Sequence, residues 1–465
     1  MNVLGLMLDA RRVHKQGEEI LLRRQRDRLA GIVTYARNHS AYYRELYHVL
    51  PERVSDAALL PVVTKKTLMA RFDDWVTDPN ISLAQVQSFV DDPARVGEKF
   101  LGQYTALTTS GTTGTRGLFL LDQHSLAVTT ALSTRMLGAW LAPADFLRIA
   151  AHGGRIAMVN ATGGHFASAV AAAGLRKNRF RRRLIGVLPV QLPLPELVTR
   201  LNIFRPAILA SYAGTGALLA SEQQAGRLRI DPILVVLAAE GLPVTEYDRI
   251  AVAFGATVRQ SYAATECPFL TYSCRENWLH VNSDWVLLEP VDTHHQPVPP
   301  GQQSHTTLLT NLANRVQPIL RYDLGDSVLV RADPCPCGDP LPAIRVHGRT
   351  ADLLTFPAQD GEPVSITPLT ISSLLDHVPG IELFQVVQAS PTELRLRLHM
   401  KAGADAEHIW QAARTEIGKL LIGHHLAHVT LARADELPLQ TPGGKYRTVI
   451  PYTASPPDAG PKPGT

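Results

Sequence analysis

Thr108-Thr109-Ser110-Gly111-Thr112-Thr113-Gly114-Thr115-Arg116-Gly117 is the stretch on which the reading of this chain turns. Its glycines let a backbone turn N–H groups inward, and the hydroxyls between them add donors, which is the lining a triphosphate needs. A flexible Ser/Thr/Gly turn would be written the same way. The flanks narrow the choice: residues 104–109 enter as a β-prone run, and Leu118–Leu121 leave as another. No Gly-Lys-Ser/Thr follows, and the exit reads as a strand, not a helix N-terminus. That excludes the loop of P-loop kinases.

Outward from the loop, Ser125 reads as the N-cap of a long helix. Toward the N-terminus, residues 17–46 read as helical, with Leu29, Ile32, Val33 and Ala36 on one stripe. Toward the C-terminus, apolar runs at 155–159, 207–209, 233–238 and 257–261 alternate with helical stretches, the rhythm of parallel α/β layers. The composition shifts near Gly348. Beyond it the pattern is helix (369–377), strand (383–388), strand (393–400), helix (406–421), strand (429–433). The expected fold class is α/β: a large N-terminal domain of layered sheets and helices over 1–348, then a small mobile α+β domain over 349–453. The Pro/Gly-rich tail 454–465 is expected to be disordered.

At 465 residues the chain is long for one core. It is 45% apolar and 19% charged, with a net charge of +4, so neither a disordered chain nor a general nucleic-acid binder is indicated. Positive charge is local, in Arg23, Arg24, Arg26 and Arg28 and in Lys177, Arg179, Arg181, Arg182 and Arg183. Each run reads as a solvated face or as a landing site for phosphates or an acidic protein. Four cysteines make no disulfide scaffold and fit a reducing, cytoplasmic setting. No run suits a signal peptide or a membrane span.

Further motifs follow the loop in order: Ser261-Tyr262-Ala263-Ala264-Thr265-Glu266, Arg321-Tyr322-Asp323-Leu324-Gly325-Asp326, Gly348-Arg349-Thr350-Ala351-Asp352 and Gly443-Gly444-Lys445-Tyr446-Arg447. Together with residues 109–114 they resemble the ordered motifs of the adenylate-forming superfamily. The N-terminal residues 35–44 and 60–65 are similar to landmarks of its phenylacetate–CoA ligases and their capsule-gene relatives. Thr115 and Arg116 stand where that loop usually has Lys-Pro, leaving Arg116 as the basic group. Ala263 replaces a glycine, and Ala351 replaces an aspartate at the hinge.

The resemblance implies specific roles. Thr109, Ser110, Gly111, Thr112, Thr113 and Gly114 would hold the phosphates of ATP. Tyr262, beside Ala263, would stack on adenine, with Thr265 on the α-phosphate and Glu266 on Mg²⁺. Asp326 would accept the ribose hydroxyls, and Arg349 would contact the nucleotide. Lys445 would be catalytic, stabilising the charge that builds between carboxylate and α-phosphate. Tyr212-Ala213-Gly214 and Ala239-Glu240-Gly241 resemble acyl-pocket and adenine-edge segments. That assigns Tyr212, Ala213, Gly214 and Gly241 to the acid and Glu240 to the nucleotide. His165, after Gly163-Gly164, would border the acyl pocket; a surface-loop histidine is the alternative.

The reaction implied is acid activation to acyl-AMP, the acid being aromatic by likeness alone. Transfer follows to coenzyme A or to the phosphopantetheine of an acidic carrier protein. A homodimer is left open. The competing reading is a non-catalytic, zinc-organised nucleotide- or partner-binding protein.

Cys335-Pro336-Cys337 with Cys274 and His280 offers three thiolates and one imidazole, a set that would close a structural zinc site without catalytic role. Related ligases carry a similar pattern, and Cys267 is an alternative ligand. His424 and His428 are four apart but follow a glycine, where helical facing is lost, and are not read as ligands.

Overall fold

The stripe Leu29, Ile32, Val33 and Ala36 forms the buried face of the helix Glu18–His39, as its spacing predicts. The helix does not run on to 46. Ser40 is extended (φ −110°, ψ 125°) and its hydroxyl accepts from Tyr43 N–H at 3.3 Å, starting a second helix, Ala41–Leu46. Nor are Arg24 and Arg28 of the helix Glu18–His39 part of a solvated face, as Arg23 and Arg26 are. Arg24 and Arg28 bind Asp9 of the preceding helix, Val3–Gln16, at 2.8 and 2.7 Å, and Arg28 lies 3.5 Å from the centroid of Trp285. The helix Gln123–Trp140 is capped by Asp122, not Ser125. The Asp122 carboxylate takes the Ser125 N–H at 2.7 Å, so Ser125 is three residues inside. From this helix, Arg135 holds the buried Asp284 through two N–H groups at 2.8 and 2.7 Å.

The computed structural model describes residues 3–109, 116–238, 244–346, 354–357, 363–366, 368–375, 377–400, 403–439 and 449–452. They fall into two compact units, one ending at 346 and the other beginning at 354. Among them no helix is long and apolar enough to cross a membrane.

In the first unit, β1 (Thr105–Thr108) and β2 (Leu118–Leu121) form an antiparallel hairpin. Next come β3 (Ile156–Asn160), β4 (Ile185–Pro189), β5 (Ile208–Tyr212), β6 (Leu234–Ala238) and β7 (Thr257–Ser261). These make one parallel sheet in the order β4-β3-β5-β6-β7. Helices cover it. Gly216, in the helix Ala213–Gln224, allows a close approach, since a Cβ there would meet Leu237 of β6 at 2.5 Å.

Two antiparallel sheets complete the unit. β8 (Thr271–Ser273) and β9 (Leu279–Val281) join β14 (Ala343–Val346) and β13 (Val328–Val330), while β10 (Val286–Val291) joins β11 (Thr306–Asn311) and β12 (Tyr322–Asp323). Several of these strands have only two or three residues, and β14 reaches back to β9 from far along the chain, so no local period announced them.

The second unit is α+β. β15 (Leu354–Phe356) pairs with β16 (Val364–Ile366), and β17 (Ile381–Ser390) with β18 (Glu393–Met400), both antiparallel. β19 (Thr430–Arg433) and β20 (Val449–Ile450) add in parallel to β18 and β17. The helices Pro368–Leu375 and Ala406–Gly423 bury Ile371, Leu375, Ile409 and Ile417 in one core with Phe384, Val386, Leu394 and Leu396. His424 caps the second helix and His425 turns left-handed (φ 60°), so His424 and His428 share no helical face.

Burial holds the His424 imidazole down at about 4, with the adjacent His425 acting the same way. An unfolded histidine takes its proton at pH ~6.5, so the folded state is penalised as pH falls from there toward 4, by at most ~3 kcal/mol. Stability from this group is complete above pH ~6.5 and declines below it. Thermal unfolding of the second unit across that window should show the decline, and His424→Leu should flatten it. An equal slope in the variant would refute the assignment.

Candidate functional site

In an open parallel sheet, ligands bind outside the carboxyl ends of the strands, where the strand order reverses. Here β3 is followed by β4 on one side and the chain then returns to β5 on the other, so the reversal lies between β3 and β5. Asn160 ends β3 and Tyr212 ends β5. Ala213 and Gly214 open the helix after β5 and are buried. Tyr212 is braced: its hydroxyl receives the Ala161 N–H at 3.1 Å and meets Ser168 Oγ at 3.1 Å, tying the end of β5 to the exit of β3. Asn160 was not among the candidates from sequence. It is 4% exposed, and among the described residues neither side-chain polar atom has a partner. Its signal was an amide closing the apolar run Ile156–Val159, a place where a core strand would continue apolar.

β7 ends one residue before Tyr262. The Tyr262 hydroxyl donates to Asp326 at 2.8 Å, and the Tyr322 hydroxyl donates to Glu266 at 2.7 Å. Two motifs far apart in sequence are thus crossed, each tyrosine binding the other motif's carboxylate. Both Glu266 and Asp326 are buried, Thr265 is half-buried and Ala263 exposed.

The roots of the β1–β2 hairpin, which carry the Gly/Ser/Thr loop, are fixed. Thr109 N–H donates to Gly117 O at 3.0 Å, and Gly117 N–H to Thr109 Oγ1 at 2.8 Å. The outer edge of β2 is held by amide side chains: Gln317 Oε1 takes the Leu120 N–H at 2.5 Å, and Asn314 Nδ2 donates to Leu120 O at 2.8 Å. On the other side, Thr108 N–H donates to His165 O at 2.8 Å. His165 is no surface-loop residue. It is 1% exposed, its Nδ1 meets Val90 O at 3.2 Å, and its ring lies 5.3 Å from that of Phe89. Burial lowers its pKa below the ordinary histidine value. Arg116 pairs with Asp91 at 2.7 Å, both side chains being well exposed. Ser110, Gly111, Thr112, Thr113, Gly114, Glu240, Gly241, Arg349 and Lys445 lie outside the described residues, as does the tail 454–465.

A second constellation joins β8, β9 and the loop before β14. The ligand atoms of Cys274, His280, Cys335 and Cys337 all lie within 4.8 Å of one another. Cys274 and Cys335 Sγ are 3.8 Å apart, far beyond a disulfide bond and close to the ~3.8 Å edge of a tetrahedron with ~2.3 Å metal–sulfur bonds. His280 Nδ1 binds Leu341 O at 2.8 Å, which turns Nε2 toward Cys337 Sγ at 3.2 Å. Burial pushes the Cys337 thiol up to about 12. Burial opposes the Cys274 thiolate too, but hydrogen bonds from His280 and the backbone hold that thiol below its ordinary value. Cys267 is not part of the quartet; it is fully buried in the core that includes Phe269 and Leu270.

No family model matches the chain, and no curated protein matches it. Solved structures do. Among them are structures of a 2-hydroxyisobutyryl-CoA ligase, each 22% identical to this chain. The complex with 2-HIB-AMP and CoA in the thioesterification state gives a TM-score of 0.59, over 95% of this chain and 91% of that one. The open conformation with the same ligands gives 0.53 over 91% and 90%. The postadenylation state with R3-HIB-AMP gives 0.53 over 93% and 89%. Over nearly its whole length, this chain has the fold of that acid–CoA ligase.

Proposed function

We propose that the chain activates a carboxylic acid with ATP. A carboxylate oxygen attacks the α-phosphorus and pyrophosphate leaves; a thiol sulfur then attacks the acyl carbon of the mixed anhydride and AMP leaves. The observation that carries this reading is the crossed pair of tyrosine–carboxylate bonds at the carboxyl end of the parallel sheet. It brings together, in one place, the two motifs that the superfamily likeness assigns to adenine, Mg²⁺ and ribose. The ligase whose fold the chain shares is solved with an acyl-AMP and CoA, which supports the same two-step chemistry here.

Each residue then has a task. Tyr262 presents its ring beside the nucleotide while its hydroxyl orients Asp326 toward the ribose. Glu266 supplies a hard oxygen donor that fits Mg²⁺, which bound there would screen phosphate charge, and the Thr265 hydroxyl meets the α-phosphate. Asn160 offers unused hydrogen-bonding capacity to the acid or nucleotide. Lys445 places a point cation where charge builds. The acid is aromatic and the enzyme phenylacetate–CoA ligase-like by motif likeness. The acceptor is coenzyme A or a carrier's phosphopantetheine, in the cytoplasm. The Cys274, His280, Cys335, Cys337 quartet holds a structural zinc: soft donors in tetrahedral spacing, with the histidine oriented by a backbone carbonyl.

ATP–pyrophosphate exchange over a panel of aryl, arylacetic and short hydroxy acids tests the reading. Exchange dependent on one acid class is expected, and its absence with every acid would sink it. Lys445→Ala should lower acid-dependent exchange by roughly a hundredfold or more. Tyr322→Phe, which leaves Glu266 without that hydroxyl, should lower it about tenfold, as loss of ~1.5 kcal/mol from a charge-assisted bond implies. For the metal, elemental analysis of the purified chain should find one zinc per molecule, and Cys335→Ser should lose it together with thermal stability. A metal-free wild type with full stability would refute the zinc assignment.

A further inference from the structure

Two helices beside the parallel sheet bury none of their residues. One is Arg179-Phe180-Arg181-Arg182-Arg183-Leu184, capped by Asn178, whose side-chain oxygen takes the Phe180 N–H at 2.9 Å. Phe180 and Leu184 are four apart and share one side of the turn, with arginines around them. A surface helix ordinarily turns such an apolar stripe to the core. Here all six residues are exposed, Phe180 to 72%. The other helix is Pro143–Ala151, whose Leu147 is 75% exposed.

Both helices lead into the sheet at its amino end. β4 is parallel to β3, so the chain leaving the carboxyl end of β3 returns through the helix Ala167–Arg176 before β4 begins. Arg179–Leu184 stands at that return, directly ahead of Ile185 on the edge strand of the sheet. Pro143–Ala151 ends just ahead of β3. The helix Leu194–Phe204 brings Ile203, 79% exposed, and Arg205 to the start of β5, where Arg205 O accepts from Arg155 Nε at 3.0 Å.

Charge at this end is mostly positive. Residues 146–195 hold eight arginines and lysines and no aspartate or glutamate. The acids that bound this run are already paired, Asp145 with Arg148 at 3.3 Å and Glu196 with Arg200 at 2.5 Å. Ahead of β6, Asp231 lies 3.4 Å from His152 Nε2, and Glu222 lies 2.7 Å from Arg227. Arg179, Arg181, Arg182 and Arg183 thus have no acid in their own segment.

Guanidinium groups suit phosphates, which they meet with two N–H groups at a time. Apolar tips standing among them suit a dry phase. A nucleic acid would satisfy the arginines and leave the aliphatic Leu147, Leu184 and Ile203 in water, since only a ring stacks on a base. An acidic protein would have to match each tip with a pocket, whereas a bilayer needs no such register. An anionic bilayer satisfies both sets of groups: headgroup phosphates take the guanidinium groups while Phe180 and its apolar neighbours enter the acyl boundary.

We propose that the amino end of the parallel sheet, led by Arg179–Leu184, docks on the anionic surface of a lipid bilayer. Attachment is peripheral, with the short helix lying in the interface. The candidate site opens at the carboxyl ends of the same strands, one strand length or about 16 Å away, so the bilayer does not cover it. Docking is independent of the ligase chemistry.

Flotation of the full chain with liposomes tests it. Vesicles of phosphatidylcholine with about one-third phosphatidylglycerol should carry the chain, at least about tenfold more of it than phosphatidylcholine alone, and high salt should release it. Arg181→Gln combined with Arg182→Gln and Arg183→Gln should lower binding to the anionic vesicles about tenfold or more. Phe180→Ser should lower it about threefold or more, and should do so at high salt as well. Melting should be unchanged in both variants, because the substituted side chains are exposed. Equal binding to both kinds of vesicle, or undiminished binding by the triple variant, would overturn the proposal. So would failure to float with anionic vesicles while polyglutamate or duplex DNA is bound through the same arginines, which would assign the face to an acidic macromolecule.

Discussion

Two buried carboxylates at the end of a parallel sheet need donors, or the unit that buries them does not hold together. Tyr262 supplies one to Asp326 and Tyr322 supplies one to Glu266, across 64 and 56 residues of sequence. Because each tyrosine stands in the motif whose carboxylate the other tyrosine serves, neither motif is positioned alone. The cross also joins two architectures: Tyr262 leaves the last strand of the parallel sheet, while Tyr322 lies on β12 of an antiparallel one.

The segment carrying Tyr322 is tied down from several sides. Pro318 O accepts from both Tyr43 Oη and Trp75 Nε1, at 2.9 and 2.8 Å. Val63 N–H donates to Arg321 O at 3.1 Å, and Asp323 N–H returns a bond to Val63 O at 2.9 Å. Arg321 adopts φ 50°, costly for a side chain with a Cβ, and its guanidinium donates to Leu60 O at 2.7 Å and Ala58 O at 3.1 Å. Upstream, Asn314 and Gln317 grip β2. The N-terminal helices, the β1–β2 hairpin and the motif carrying Tyr322 and Asp326 therefore share one backbone run, residues 314–323, as their common support.

Periodicity made the parallel layers and the α+β unit legible, because buried parallel strands are continuous apolar runs and amphipathic helices repeat. The antiparallel sheets were not legible: β8, β9 and β13 have three residues each, too few for a period. Ser125 was misread as a cap because Asp122, Ser125 and their spacing offer two acceptable caps, and only the backbone chooses. The cysteine–histidine quartet could be suggested from residue type, but the orientation of His280 depends on Leu341 O, which has no sequence signature. Asn160 went unnoticed because one amide after a strand is common; its burial without partners is what distinguishes it.

If residues 109–114 hold phosphate as proposed, Arg116 is placed to answer the loop's departure from the superfamily pattern. Its partner Asp91 is exposed, and such pairs contribute ~0–1 kcal/mol. The root of the hairpin does not depend on it: Thr109 and Gly117 close the loop through their own two bonds, and Gln317 and Asn314 hold β2. Releasing Arg116 therefore costs little and leaves the hairpin intact. On the ligase reading, a triphosphate entering the loop offers the guanidinium a more highly charged, bidentate acceptor than one solvated carboxylate. On that reading a side chain at the exit of the loop takes the place of the missing lysine, and the exposed pair with Asp91 is what it exchanges for the phosphate.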